Sequence, residues 1–204
     1  MEFDDTYKTI AGPTEGLFKE KGSKFFAYAF PVHSEEQIKE LLETKRKEHH
    51  GSKHVCYAYK LGMDDNRWRV NDAGEPSGTA GKPIYGQILS HGLTNLLVVV
   101  VRYFGGTKLG VGGLIAAYRN SAIEALAVAK VIEKQVRDEL EILFEYPQMN
   151  AVMQLVKDEE LEQLEQQFEE SCRLLLSVPK SQVYKIVNLL KRLEDVQFNV
   201  QSRR

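Results

Sequence analysis

All fifteen glycines of this 204-residue chain lie between Gly12 and Gly113, and none follows. Glycine is needed where backbone takes positive φ or approaches another group closely. A glycine-free half reads as plain strands and helices joined by short polar turns. Charge divides in the same way: residues up to Lys134 carry 18 basic and 16 acidic side chains, and those from Gln135 onward carry 9 and 13. The chain is therefore read as two domains, 1–134 and 135–204, with any chemistry in the first. The net charge of −2 gives no argument from bulk basicity for nucleic-acid binding. Apolar stretches are too short to span a bilayer, and no export leader opens the chain. The two cysteines, Cys56 and Cys172, read as free thiols, so the expected setting is the cytoplasm, with no membrane.

Periodicity places the elements of the first part. Residues 24–32 read as an aromatic strand, and Ser34 with Gln37 forms a capping box ahead of a helix. Residues 54–61 alternate, with His54, Cys56, Ala58 and Lys60 on one face and Val55, Tyr57, Tyr59 and Leu61 on the other. Residues 67–70 form a partner strand across a turn holding Asp64 and Asp65. Residues 80–90 suit a helix with Pro83 in its first turn. Residues 95–104 (NLLVVVVRYF) are apolar without alternation, as in a strand covered on both faces. Residues 113–130 read as an alanine-rich helix with Leu114, Tyr118, Ala122, Leu126 and Ala129 inward. The second part reads β-α-β-β-α-β, with Ser181 as the N-cap of its last helix, which is the split, ferredoxin-like pattern. Its acidic run from Asp158 to Glu170 reads as a solvated face.

Two segments concentrate the chemistry. DAGEPSGTAGKPI (72–84) gathers Asp72, Glu75, Ser77, Thr79 and Lys82 around a helix start, the composition of an anion-binding loop. It is not a P-loop, because Pro76 replaces the first glycine and Pro83 follows Lys82; the alternative is an ordinary glycine-rich turn. RYFGGTKLGVGG (102–113) connects the most buried strand to a helix N-terminus. There, free amides and the macrodipole favour phosphate, with Arg102 and Lys108 as added positive charge. Its alternative is a tight connection with Arg102 snorkelling to solvent. His49, His50, His54 and Cys56 match no zinc spacing, so no metal and no cofactor is expected, and Cys56 reads as a packed thiol.

With these two signatures in this order, the sequence resembles the YigZ/IMPACT family, and the resemblance extends over nearly the whole chain. It implies an α+β protein of two domains. The first would have the fold shared by a small-subunit ribosomal protein domain and GHMP-type kinases, and the second would be ferredoxin-like. It also implies a cleft for a phosphate-bearing ligand, nucleotide or nucleic acid. The matching positions are Asp72, Glu75, Ser77, Thr79 and Lys82 in one motif, and Arg102, Tyr103, Gly105, Gly106, Gly110 and Gly113 in the other. Lys108 joins them by its place in the second loop. Ala116 stands where many relatives carry Lys or Arg, making the cleft less cationic. The RWD domain of eukaryotic IMPACT has no counterpart in the match, so its stress-kinase contacts are not transferred. The leading expectation is a binding protein of the translation or nucleic-acid system, with the ribosome or translation factors as partners. The alternative is an enzyme acting on a phosphorylated small molecule or nucleotide, with Glu75 or Asp72 as base or metal ligand.

Overall fold

The computed structural model describes residues 5–63, 66–169 and 171–201. The hairpin turn expected at Asp64 and Asp65 lies outside them, as does Glu170. In chain order the first unit, Tyr7–Lys134, is built from β1 (Thr6–Ile10), β2 (Thr14–Glu20), β3 (Ser23–Pro31), α1 (Glu35–Glu48), β4 (His54–Lys60), β5 (Trp68–Asn71), α2 (Gly81–Ser90), β6 (Leu96–Tyr103), α3 (Gly110–Ala127) and β7 (Val131–Gln135). The second, Met1–Thr6 with Gln135–Arg204, holds β8 (Arg137–Phe144), α4 (Met149–Asp158), β9 (Glu162–Phe168), β10 (Cys172–Pro179), α5 (Val183–Leu190) and β11 (Gln197–Gln201).

Strand β6 organises the first unit. It lies at the centre of a five-stranded antiparallel sheet ordered β2-β3-β6-β4-β5. Its lack of alternation has the expected cause: Leu96, Val98 and Val100 enter one core with α2 and α3, while Leu97, Val99 and Val101 enter another with α1. The alternation of β4 is divided in the same sense, Cys56 and Ala58 going to the first core and Val55, Tyr57 and Tyr59 to the second. Helix α1 starts at the expected box. Ser34 Oγ accepts the Gln37 N–H at 3.2 Å, and the Gln37 amide oxygen accepts the His33 N–H at 2.9 Å. Helix α3 begins at Gly110, three residues before the expected start, so part of the glycine run is helical. Strands β1, β2 and β7 were not expected from the sequence, since their mixed polar patterns carry no long apolar run.

The second unit is a four-stranded antiparallel sheet ordered β11-β8-β10-β9, packed against α4 and α5. Ser181 is not the N-cap expected. A 3-10 turn over Lys180–Gln182 precedes α5, and the Ser181 N–H donates to Asp5 Oδ2 at 2.9 Å. Asp5 also accepts from Gln135 Nε2 at 3.2 Å, so a residue from the start of the chain ties this unit together. Every residue of β9 is exposed, as a solvated acidic face requires. Among the described residues, no helix is long and apolar enough to cross a membrane.

Candidate functional site

The antiparallel register sets His54 of β4 directly opposite Arg102 of β6, so both project from the same face at one end of the sheet. The first glycine loop folds over this end and delivers Glu75 to it. Glu75 Oε1 accepts from Arg102 Nη1 at 2.7 Å and from the Tyr118 hydroxyl of α3 at 2.8 Å. The side chains of Arg102 and Glu75 are only 7% and 4% exposed. Arg102 does not snorkel to solvent. Its guanidinium carbon lies 5.6 Å from the ring centroids of both Phe25 and Phe104, and its Nε has no hydrogen-bond partner among the described residues. Burial of such a pair is costly unless each charge keeps its partner. The Glu75 carboxylate answers that cost with two charge-assisted bonds.

Cys56 and His54 complete the cluster. Cys56 Sγ lies 3.1 Å from the Asp72 carbonyl oxygen and 3.4 Å from the Tyr118 hydroxyl. Burial pushes its thiol up to about 12, so it is an inert packed thiol at neutral pH. Burial also raises Tyr118, reinforced by Cys56 and Glu75, which keeps its hydroxyl protonated as a donor. His54 Nδ1 is 3.0 Å from the Ala73 carbonyl oxygen; a donor at Nδ1 leaves Nε2 as the acceptor of the neutral ring.

Asp72 does something different from offering charge to a ligand. Its Oδ1 accepts from the N–H groups of Ala80 (3.0 Å) and Gly81 (2.8 Å), and its Oδ2 from that of Gly78 (2.9 Å). Burial alone would raise this carboxyl, but the three backbone donors and Lys82 outweigh it and hold Asp72 below its ordinary value. These are the amides an anion would have used at the start of α2. Thr79 is likewise committed: its N–H and hydroxyl both donate to the Pro76 carbonyl, at 3.0 and 2.7 Å. Ser77 in the loop and Lys82 in the first turn of α2 are exposed.

The second loop is arranged the other way. Gly105, Gly106, Lys108 and Gly110 are exposed, and Gly113 is half-buried in the first turn of α3. That helix has no side-chain cap at Leu109 and no acidic residue in its first turn. Gly105 is required by packing, since a Cβ there would lie 1.9 Å from the Gly22 carbonyl carbon and 2.2 Å from the Ser23 nitrogen. Its own N–H donates to Ser23 Oγ at 3.1 Å. Gly106 instead has φ +88° with open space around it. Tyr103 does not join Arg102. It turns to the α1 face, where its hydroxyl is 3.0 Å from His49 Nδ1.

Of the residues singled out from the sequence, Glu75 and Arg102 thus meet in one buried pair, Asp72 braces the loop that carries Glu75, and Tyr103 is on the opposite face. From the sequence, His54 and Cys56 read only as an unmatched metal set and a packed thiol, and Tyr118 only as an inward-facing helix position. Tyr118 left a signal: a tyrosine hydroxyl inside an apolar helical stripe needs a partner. Among the described residues, no group of three or more His, Cys, Asp or Glu side chains could hold a metal ion.

Comparison with known proteins identifies relatives of the chain. Residues 21–126 match the model of the Impact N-terminal domain. IMPACT family member YvyE of Bacillus subtilis is 37% identical over 131 residues, covering 64% of this chain and 60% of that protein. IMPACT family member YigZ of Escherichia coli is 34% identical over 148 residues, covering 72% of each chain. A crystal structure of a hypothetical protein superposes over 99% of both chains, with a TM-score of 0.71 and 26% identity. On its first-domain signatures and on relatives that share most of its length, the chain belongs to the IMPACT family.

Proposed function

We propose that the protein is a binding protein of the translation or nucleic-acid system, and that its first unit takes a phosphate-bearing ligand at the second glycine loop. One observation carries the location of the ligand: the N-terminus of α3 is an uncapped helix end beside Lys108, whereas the amides at α2 are filled by Asp72. Free N–H groups at the positive end of a helix dipole favour an anion. The buried Arg102–Glu75–Tyr118 network then serves as the rigid base that fixes the end of β6, from which the loop departs. Membership of the IMPACT family supports the link to translation, as does the yeast relative called Protein IMPACT homolog, 34% identical over 95 residues. The strand order β11-β8-β10-β9 with two helices supports reading 135–204 as a ferredoxin-like domain. That reading makes it the companion of a first domain spanning 1–134.

The test is amide chemical-shift mapping of the full chain titrated with inorganic phosphate and with a nucleoside monophosphate. Shifts should concentrate on residues 105–113, and Lys108→Ala should weaken binding about three- to tenfold, the range for one exposed charged contact. Shifts confined to other segments, or binding unchanged in Lys108→Ala, would reject the assignment.

A further inference from the structure

We infer that the Trp68–Tyr85 stack is a base-stacking platform for single-stranded nucleic acid. The inference rests on the proposed role in the nucleic-acid system and extends it to a ligand class. Trp68 is the sole tryptophan of the chain, sits on the edge strand β5 and is 47% exposed. Its ring stacks on Tyr85 of α2 with centroids 4.8 Å apart and planes at 19°. Tyr85 covers one face of the indole and holds it in a fixed orientation. The rest of a large flat ring is left in water, where a nucleobase can stack without ordering a mobile side chain first.

Positive charge shares this edge. Lys60 is the register partner of Trp68 and therefore projects from the same sheet face. Lys82 lies three residues before Tyr85 on α2, hence on the same helix face, and is exposed. Aromatic surface interleaved with lysines is the arrangement that binds single strands through stacking plus phosphate attraction. Tyr57 and Tyr59 of β4 offer no such surface, because both are buried against α1.

A strand is favoured over a mononucleotide because the aromatic stack and the lysines are separate contacts, and a base with its neighbouring phosphates engages more of them than a lone nucleotide does.

The experiment titrates the full chain with fluorescein-labelled octauridylate and with octadeoxythymidylate. Strand anisotropy and Trp68 fluorescence are read in parallel, with UMP as the mononucleotide arm. Fluorescence should fall as anisotropy rises, and UMP at equal nucleotide concentration should leave it unchanged. Trp68→Ala should weaken strand binding about 5- to 150-fold, and Trp68→Phe should retain most of it. Unlabelled circular dichroism checks that both variants fold. Strand binding with constant fluorescence and an unaffected Trp68→Ala overturns the platform. If no strand binds while phosphate still shifts the amides of residues 105–113, this inference fails and the proposed function stands. If phosphate fails as well, both fall. Self-association that disappears in Trp68→Ala also overturns it, assigning the stack to a second copy of the chain.

Discussion

The two glycine-rich loops differ in the fate of their backbone amides. In the first, Asp72 collects the N–H groups of Gly78, Ala80 and Gly81, and the loop closes on itself. In the second, packing fixes one residue, Gly105, and the remainder leads exposed into an uncapped helix. Similar composition therefore yields a structural brace in one place and an open surface in the other. Glycine and hydroxyl content alone does not make an anion site; an internal carboxylate can occupy it first.

The largest effect should come from the brace. Removing Glu75 leaves the Arg102 guanidinium buried without its counter-charge, a loss of about 3–5 kcal/mol. Urea unfolding of Glu75→Ala measures it, and Arg102→Met added to that variant should recover much of the stability by removing the orphaned charge. A double variant as unstable as the single one breaks the account. Next is Asp72. Asp72→Ala frees three amides at once and should cost about 2–4 kcal/mol. Its carboxyl is held below the ordinary 3.8 in the folded state, so it contributes stability above that value, and the contribution is lost as pH falls through the folded value. The acid limb of stability against pH, below about pH 4, should be shallower in Asp72→Ala than in the parent.

Smaller effects sharpen the contrast within the second loop. Gly105→Ala should destabilise by about 1–3 kcal/mol, because main chain at Gly22 and Ser23 must move. Gly106→Ala meets open space and suffers only from its positive φ, about 1 kcal/mol. Lys108→Ala should stay within about 0.5 kcal/mol of the parent in thermal unfolding, since it is exposed, while still weakening phosphate. Equal destabilisation by Gly105→Ala and Lys108→Ala would erase the distinction between packed and open halves.

Much of the fold was legible because it rests on period. The unalternating run of β6 predicted two covered faces, and the alternation of β4 correctly separated Cys56 from Tyr57. The β-α-β-β-α-β order of the second unit could be read from proline and apolar spacing. The Thr14–Glu20 strand was not, since TEGLFKE carries too few apolar residues to stand out, and its pairing with β3 decides its conformation. The arrangement of the singled-out residues was not legible. Glu75 and Arg102 are 27 positions apart, and no local rule pairs them. Asp72 caps amides up to nine residues onward, beyond the usual capping offset. The separation of Tyr103 from Arg102 did follow from simple strand alternation, once β6 was taken through both residues.

One buried thiol in each unit has a practical consequence. Cys56 and Cys172 are both enclosed, and neither forms a disulfide. Alkylating reagents act on exposed thiolate, so each cysteine becomes labelled only when its surroundings open. Pulsed labelling followed by peptide mass analysis would therefore time the opening of the two units separately in one unmodified sample. It would also reveal whether a ligand that steadies the first leaves the second unchanged.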